Sequence, residues 1–268
     1  VTPATTFTPG GANNGPNPGV AWVTPATTFT PGSRTDGVGV NAGVQWVTPA
    51  TTFTPGARSN GRTVLLLLNM DGADNGTTFT DSSSYARTIT PFGSTFTRTN
   101  IKKFGTASLR GDNGYLRFSP AITLDGDFTI ATWFSADDIT RDQCLFGAGL
   151  ALGNQQIFRL NEDSVTGNLI AYSDTYLWNP SNSYLSGLIS GVFNHYELTR
   201  QGATVRLFIN GNLLATVTFS GSISIDTIGA GYAGTFNRIY GNMDEVIILS
   251  ECLHTASFTP PTAPYSIS

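Results

Sequence analysis

Hydrophobic and polar residues alternate cleanly in "ATVRLFINGNLLATVTF", where Val205, Leu207 and Ile209 fall to one side, Asn210-Gly211 interrupts, and Leu213, Ala215, Val217 and Phe219 resume the alternation. A two-residue period places alternate side chains on one face of a strand, and Asn-Gly supplies the positive φ angles of a tight turn. The segment therefore predicts a hairpin. "GDNGYLRFS" and "DFTIATWFS" obey the same rule, with Leu116 and Phe118 facing one way, as do Phe128, Ile130 and Phe134. Turn signals recur roughly every 8–14 residues from Thr63 onward, with no convincing helical period between them. About fourteen short strands in that region imply an all-β fold, two antiparallel sheets stacked as a jelly-roll sandwich.

The first 62 residues follow another pattern. "VTPATTFTPG" begins at Val1, Val23 and Val47, and the first two units each end in a tryptophan, Trp22 and Trp46. Two prolines per copy fix φ and remove amide donors, so each copy reads as an extended segment, and Gly- and Asn-rich turn chemistry joins the copies. A unit of this size offers too few apolar groups to offset its own ordering entropy. The expectation is an extended Pro/Thr/Gly-rich arm over residues 1–62, followed by a jelly roll over 63–268. The arm serves either as a linker or as a set of short strands docking on a partner or on symmetry-related copies through Phe7, Phe29, Phe53, Trp22 and Trp46. A linker needs composition but not identity of order, which favours docking.

Charge sharpens the boundary. Residues 1–62 hold three basic residues and one acid, and the remainder eleven basic and seventeen acidic, for a net charge of -4 overall. Charged residues make up 12% of the chain, against roughly 25% in ordinary domains. Solubility thus rests on hydroxyls and amides. The acidic balance argues against nucleic acid as a partner, because phosphate neutralisation needs clustered Lys and Arg. Cys144 and Cys252 are too few for a disulfide framework and read as free thiols, which suits assembly in a reducing cytosol. "VLLLL" at Val64–Leu68 is the longest strictly apolar run, far below the roughly 20 residues of a membrane span. No secretory leader is legible at the start, and the first residue is not Met, so the chain reads as processed or as a fragment.

Six strings together resemble the laminin-G-like domain of the concanavalin A-like jelly-roll superfamily, in the form common in bacteriophage tail and virion proteins. They are "LLLLNMDGADNGTTFTDSSS" from Leu65, "KKFGTASLRGDNGYLRF" from Lys102, "GDFTIATWFSADD" from Gly126, "HYELTRQGATVRLFINGNLLATV" from His195, "IYGNMDEVIILSECL" from Ile239 and "FTPPTAPY" from Phe258. The resemblance covers nearly all of residues 63–268 and none of the arm. It implies a domain that binds glycans, proteins or calcium, or that only packs within an assembly. It also implies that Asp71, Asp81 and Asp244 lie where the first and last strands meet, as hard oxygen ligands for calcium. The alternative for these three is that they cap turns or accept from backbone amides. No other cofactor is expected.

Catalysis finds little support. Superfamily hydrolases carry two carboxylates on one strand face, flanking one glycosidic bond. The four glutamates here, Glu162, Glu197, Glu245 and Glu251, form no such set, and adjacent acids in a strand point to opposite faces. His195 reads as a packing residue. For sugars, "AYSDTYLWNPSNSYL" concentrates Tyr172, Asp174, Tyr176, Trp178 and Asn179, aromatic faces beside planar polar groups, which equally suit a neighbouring subunit or ordinary packing. The expectation is a non-enzymatic structural protein of a bacteriophage particle, a capsid decoration or tail component, anchored by its repeats to virion proteins or to copies of itself. It would be assembled in the host cytoplasm. The alternatives are a glycan-binding receptor-recognition module, on a phage or an extracellular bacterial surface, and, third, a glycoside hydrolase.

Overall fold

Alternation of apolar and polar residues becomes strand after strand. The structure, a computed structural model, describes residues 63–148, 156–160, 169–172 (backbone only), 188–231, 234 and 237–266. The predicted docking residues of the arm lie outside them. The described residues contain twelve strands and no α-helix: β1 (Val64–Leu68), β2 (Thr88–Arg98), β3 (Ser108–Leu124), β4 (Phe128–Ala136), β5 (Gln143–Gly147), β6 (Gln156–Leu160), β7 (Leu169–Tyr172), β8 (Asn194–Gln201), β9 (Thr204–Ile209), β10 (Asn212–Thr218), β11 (Ile223–Ile228) and β12 (Ile239–Leu249).

Every pairing is antiparallel, and the strands run in the order β10-β9-β8-β4-β12-β3-β11-β5-β6-β7, with β1 on β12 and β2 on β3. The sheet curls where β12 passes between β4 and β3, so β10-β9-β8-β4-β12-β1 form one layer of the jelly roll and β2-β3-β11-β5-β6-β7 the other. Leu66, Phe128, Phe134, Tyr196, Leu207 and Ile248 from the first layer meet Leu116, Phe118, Phe146, Ile157, Ile225 and Ile228 from the second in one buried core. Each such side chain contributes roughly 1.5–3 kcal/mol by leaving water.

The predicted hairpin is β9–β10, with Asn210 at φ 50° and Gly211 at φ 76°. Val205, Leu207 and Ile209 are buried as expected, but β10 slips. A bulge between Leu213 and Ala215 leaves Leu213 exposed at 37% and turns Leu214 onto the core. One inserted residue reverses the facing of what precedes it, which plain alternation does not reveal.

Strand β3 runs through "GDNG" and Pro120 without a break, taking turn-like residues into its length. Its partner β2 bulges between Phe92 and Ser94. Gly93 holds φ 64° there, and a Cβ on it would lie 2.8 Å from the Asn113 carbonyl oxygen, so the position requires glycine.

Residues 250–266 cross the outer face of the first layer. Thr129 Oγ1 donates to the Glu251 carbonyl and Thr199 Oγ1 to that of His254, while Leu253 and Tyr265 cover Leu67, Ala131 and Ile247. That face is closed by the chain's own end segment. The outer face of the second layer is where a groove remains open.

Candidate functional site

Three rungs of one ladder build the groove. Antiparallel register sets Thr88 opposite Ser119, Thr90 opposite Arg117 and Phe92 opposite Tyr115. Two-residue spacing on both strands puts all six on the same outward face. Asp226 of β11 completes the wall, and the cleft, of about 340 Å³, is lined by Thr88, Thr90, Phe92, Arg117, Ser119 and Asp226 over Phe118 and Ala121.

Its chemistry is of three kinds. The rings of Phe92 and Tyr115 stack with centroids 4.9 Å apart and planes 8° from parallel. Arg238 lies over Tyr115 at 5.3 Å and Gly234 presses on the same ring, whereas Phe92 is 38% exposed and offers its outer surface to solvent. Beside the rings, Arg117 Nη2 donates to Asp226 Oδ2 at 3.1 Å, with the arginine side chain partly in solvent and the carboxylate nearly buried. Thr227 Oγ1 donates to the other Asp226 oxygen at 2.7 Å and fixes its orientation. Around this pair stand the side-chain hydroxyls of Thr88, Thr90 and Ser119, each able to donate and accept.

The sequence-predicted sites lie elsewhere. Tyr172 ends β7, while Asp174, Tyr176, Trp178 and Asn179 fall outside the described residues. Asp71, Asp81 and Asp244 do not converge. Asp81 is buried between β1 and β2, accepting from the amides of Leu67 (3.1 Å), Ser83 (2.9 Å) and Arg87 (2.9 Å), and it faces the Arg87 guanidinium at 3.8 Å. Asp71 and Asp244 instead bracket the turn before β3. Asp71 accepts from the amides of Thr106 and Ala107, and Asp244 from those of Lys103 (2.8 Å) and Phe104 (3.1 Å). Among the described residues no group of three or more His, Cys, Asp or Glu side chains is placed to hold a metal ion. These three carboxylates do not fit calcium as a set. Cys144 and Cys252 are both free, as expected, and burial pushes the Cys144 thiol up to about 12.

A second polar cluster sits beneath the end segment. Glu245, at φ 53° on β12, accepts from the Tyr265 amide (2.7 Å) and from Asn69 Nδ2 (3.0 Å) through Oε2, while Oε1 is buried without a hydrogen-bond partner. Burial pushes its carboxyl up to about 7, and does the same to Asp244. His195 Nε2 shares a 2.7 Å hydrogen bond with the Tyr265 hydroxyl, and burial drives its pKa down to about 3, so the ring is neutral. Glu197, raised by burial, accepts from His254 Nδ1 at 2.6 Å. These groups are engaged with one another and hold the end segment down; they do not open on the cleft.

No curated protein sequence matches the chain. Among solved structures, domain 4 of AbnA, a GH43 extracellular arabinanase from Geobacillus stearothermophilus in complex with arabinotriose, is similar at 18% identity and a TM-score of 0.55, over 72% of this chain and 95% of that one. The receptor binding domain of botulinum neurotoxin mosaic serotype C/D is similar at 13% identity and TM-score 0.51, and the binding domain of botulinum neurotoxin serotype D at 12% and 0.51. Each likeness takes in 72% of this chain but only about half of the toxin domain, 48% and 49%. At these identities the likeness establishes the fold. Residues 110–257, which hold Tyr115, Arg117 and Asp226 and the strands that frame them, match the laminin-G-like family model described as concanavalin A-like lectin/glucanases superfamily, and the chain belongs to that superfamily.

Proposed function

We propose that the jelly roll is a non-catalytic glycan-recognition module and that its ligand lies in the β2–β3–β11 cleft. One observation carries the reading. An aromatic stack with a free outer face stands beside an Arg–Asp pair and three hydroxyl side chains, the parts a sugar ring needs for its C–H face and its hydroxyl rim. The arabinotriose complex of a domain with this fold supports it. Among the described residues Asp226 is the only acid lining the cleft, where hydrolysis asks for two flanking carboxyl groups. Residues 1–62 carry the module on a larger assembly, a bacteriophage particle or a bacterial surface. Protease cutting them equally fast in the free chain and in the assembly would remove that attachment.

Screened on a glycan array, the wild-type chain binds a defined subset of glycans, and Phe92→Ala loses roughly ten-fold or more in affinity for them, about 1.4 kcal/mol or more, as the loss of one aromatic contact surface implies. Phe92 is half in solvent and outside the core, so the variant keeps the wild-type melting temperature within a few degrees. Unchanged binding by a folded Phe92→Ala protein would place the ligand elsewhere.

A further inference from the structure

The charges of the cleft select among glycans, an inference that rests on the glycan reading. Among the described residues, Arg117 and Asp226 are the only charged groups lining it, and they neutralise each other across 3.1 Å. Arg238, a further cation, stands behind the aromatic stack. Its Nε donates to the Gly234 carbonyl at 2.8 Å and its Nη1 to that of Asn113 at 3.3 Å. It has been turned toward the protein's own backbone. The remaining polar lining is uncharged hydroxyl.

An anionic sugar entering this cleft gives up hydration and meets a guanidinium whose field Asp226 already cancels, so its charge gains no compensation. A neutral ring has no such cost. Its C–H face covers Phe92, one hydroxyl donates to Asp226, and the neighbouring oxygen accepts from an N–H of Arg117. The pair then acts as a fork for two adjacent hydroxyls rather than as a charge trap.

We propose that the cleft takes neutral glycans and discriminates against uronic, sialylated, sulfated or phosphorylated ones, with the Arg117–Asp226 pair as the discriminating element. The test uses matched neutral and uronate oligosaccharides of the gluco, galacto and manno series, which differ by one carboxylate per ring, titrated calorimetrically into the full chain at low and high salt. Neutral members should bind roughly ten-fold or more tightly than their uronate counterparts, with little change in affinity between the two salt conditions. Asp226→Asn, which keeps an acceptor for Thr227 but uncovers the Arg117 charge, should shift the preference toward the uronates and make their binding salt-sensitive. Tighter, salt-sensitive binding of the uronates by the wild-type chain, still lost in Phe92→Ala, overturns this inference and leaves the glycan reading standing. Binding of neither series removes both. The wild-type comparison decides the matter even if Asp226→Asn fails to fold.

Discussion

Asp81→Ala lowers the stability of the jelly roll by about 3–5 kcal/mol, the range found when one partner of a buried ion pair is removed, and the melting temperature by roughly 10 °C. The side chain is fully buried and accepts from three backbone amides at once. It thereby fixes the path from β1 into the segment that leads to β2. Arg87 depends on the same carboxylate, since burial alone lowers its pKa and Asp81 is the main group opposing that. Its guanidinium also donates to the carbonyls of Leu65 and of Pro120 (3.1 Å). Truncation leaves three N–H groups and a cation in a dry interior, where each unmet donor costs about 1–3 kcal/mol. Thermal unfolding followed by circular dichroism reads the effect. Addition of a chelator to the wild-type protein should leave the melting temperature in place, because amides satisfy Asp81. A chelator effect as large as the substitution would assign Asp81 to an ion instead.

The second large effect is an inverted dependence of stability on pH. Asp244 and Glu245 ordinarily titrate near 3.8 and 4.5 and are pushed up to about 7, by burial first and then by neighbouring carboxylates, Asp71 beside Asp244 and both Asp244 and Asp71 beside Glu245. Between these limits the folded protein holds protons that the unfolded chain releases, so their contribution grows as pH falls from about 7. Glu197 is raised also and acts in the same sense. His195 works the other way. The unfolded imidazole takes a proton below about 6.5 and the folded one only below about 3, so its contribution is lost as pH falls through that window. Two or three carboxyls outweigh one imidazole until the ordinary carboxylate range is reached; below it only the His195 loss continues. The melting temperature should therefore rise on acidification from about pH 8, pass a maximum at about pH 4 and fall below it. Glu245→Gln, which keeps the acceptor for the Tyr265 amide, should raise the melting temperature at pH 8 and change it little at pH 5. A profile that falls steadily from pH 8 to pH 5 would mean that these carboxyls are ionised in the folded state.

Much of the fold was legible because strand alternation is local. The facing of Val205, Leu207 and Ile209, of Leu116 and Phe118, and of Phe128, Ile130 and Phe134 followed from a two-residue period, and all eight lie in one core. Leu213 misled because a bulge inserts a residue without a composition signal. The cleft was half visible. Tyr115, Arg117 and Ser119 are the other half of the alternation that exposed Leu116 and Phe118 as core, an outward set that carries meaning only once its neighbours are known. Those neighbours, Thr88, Thr90 and Phe92, come from a strand 23 residues away in register at the Phe92–Tyr115 rung, and Pro91 and Gly93 disguise that strand as a loop. The aromatic run Tyr172–Trp178 is legible because it is contiguous, and beyond Tyr172 it lies outside the described residues; a sheet, by contrast, assembles its surface across strands. Asp81, Asp71 and Asp244 are legible in the sequence as oxygen donors, but the amides that meet them are brought there by the fold.

Whether sugars bind on the β2–β3–β11 face is decided by titrating a neutral oligosaccharide from the matched series into the full chain while backbone amide chemical shifts are followed. Binding there produces saturable shifts centred on Thr90, Phe92, Tyr115, Arg117 and Asp226. Shifts confined to Tyr172–Asn179, or to the face covered by residues 250–266, with these five unmoved, would contradict it.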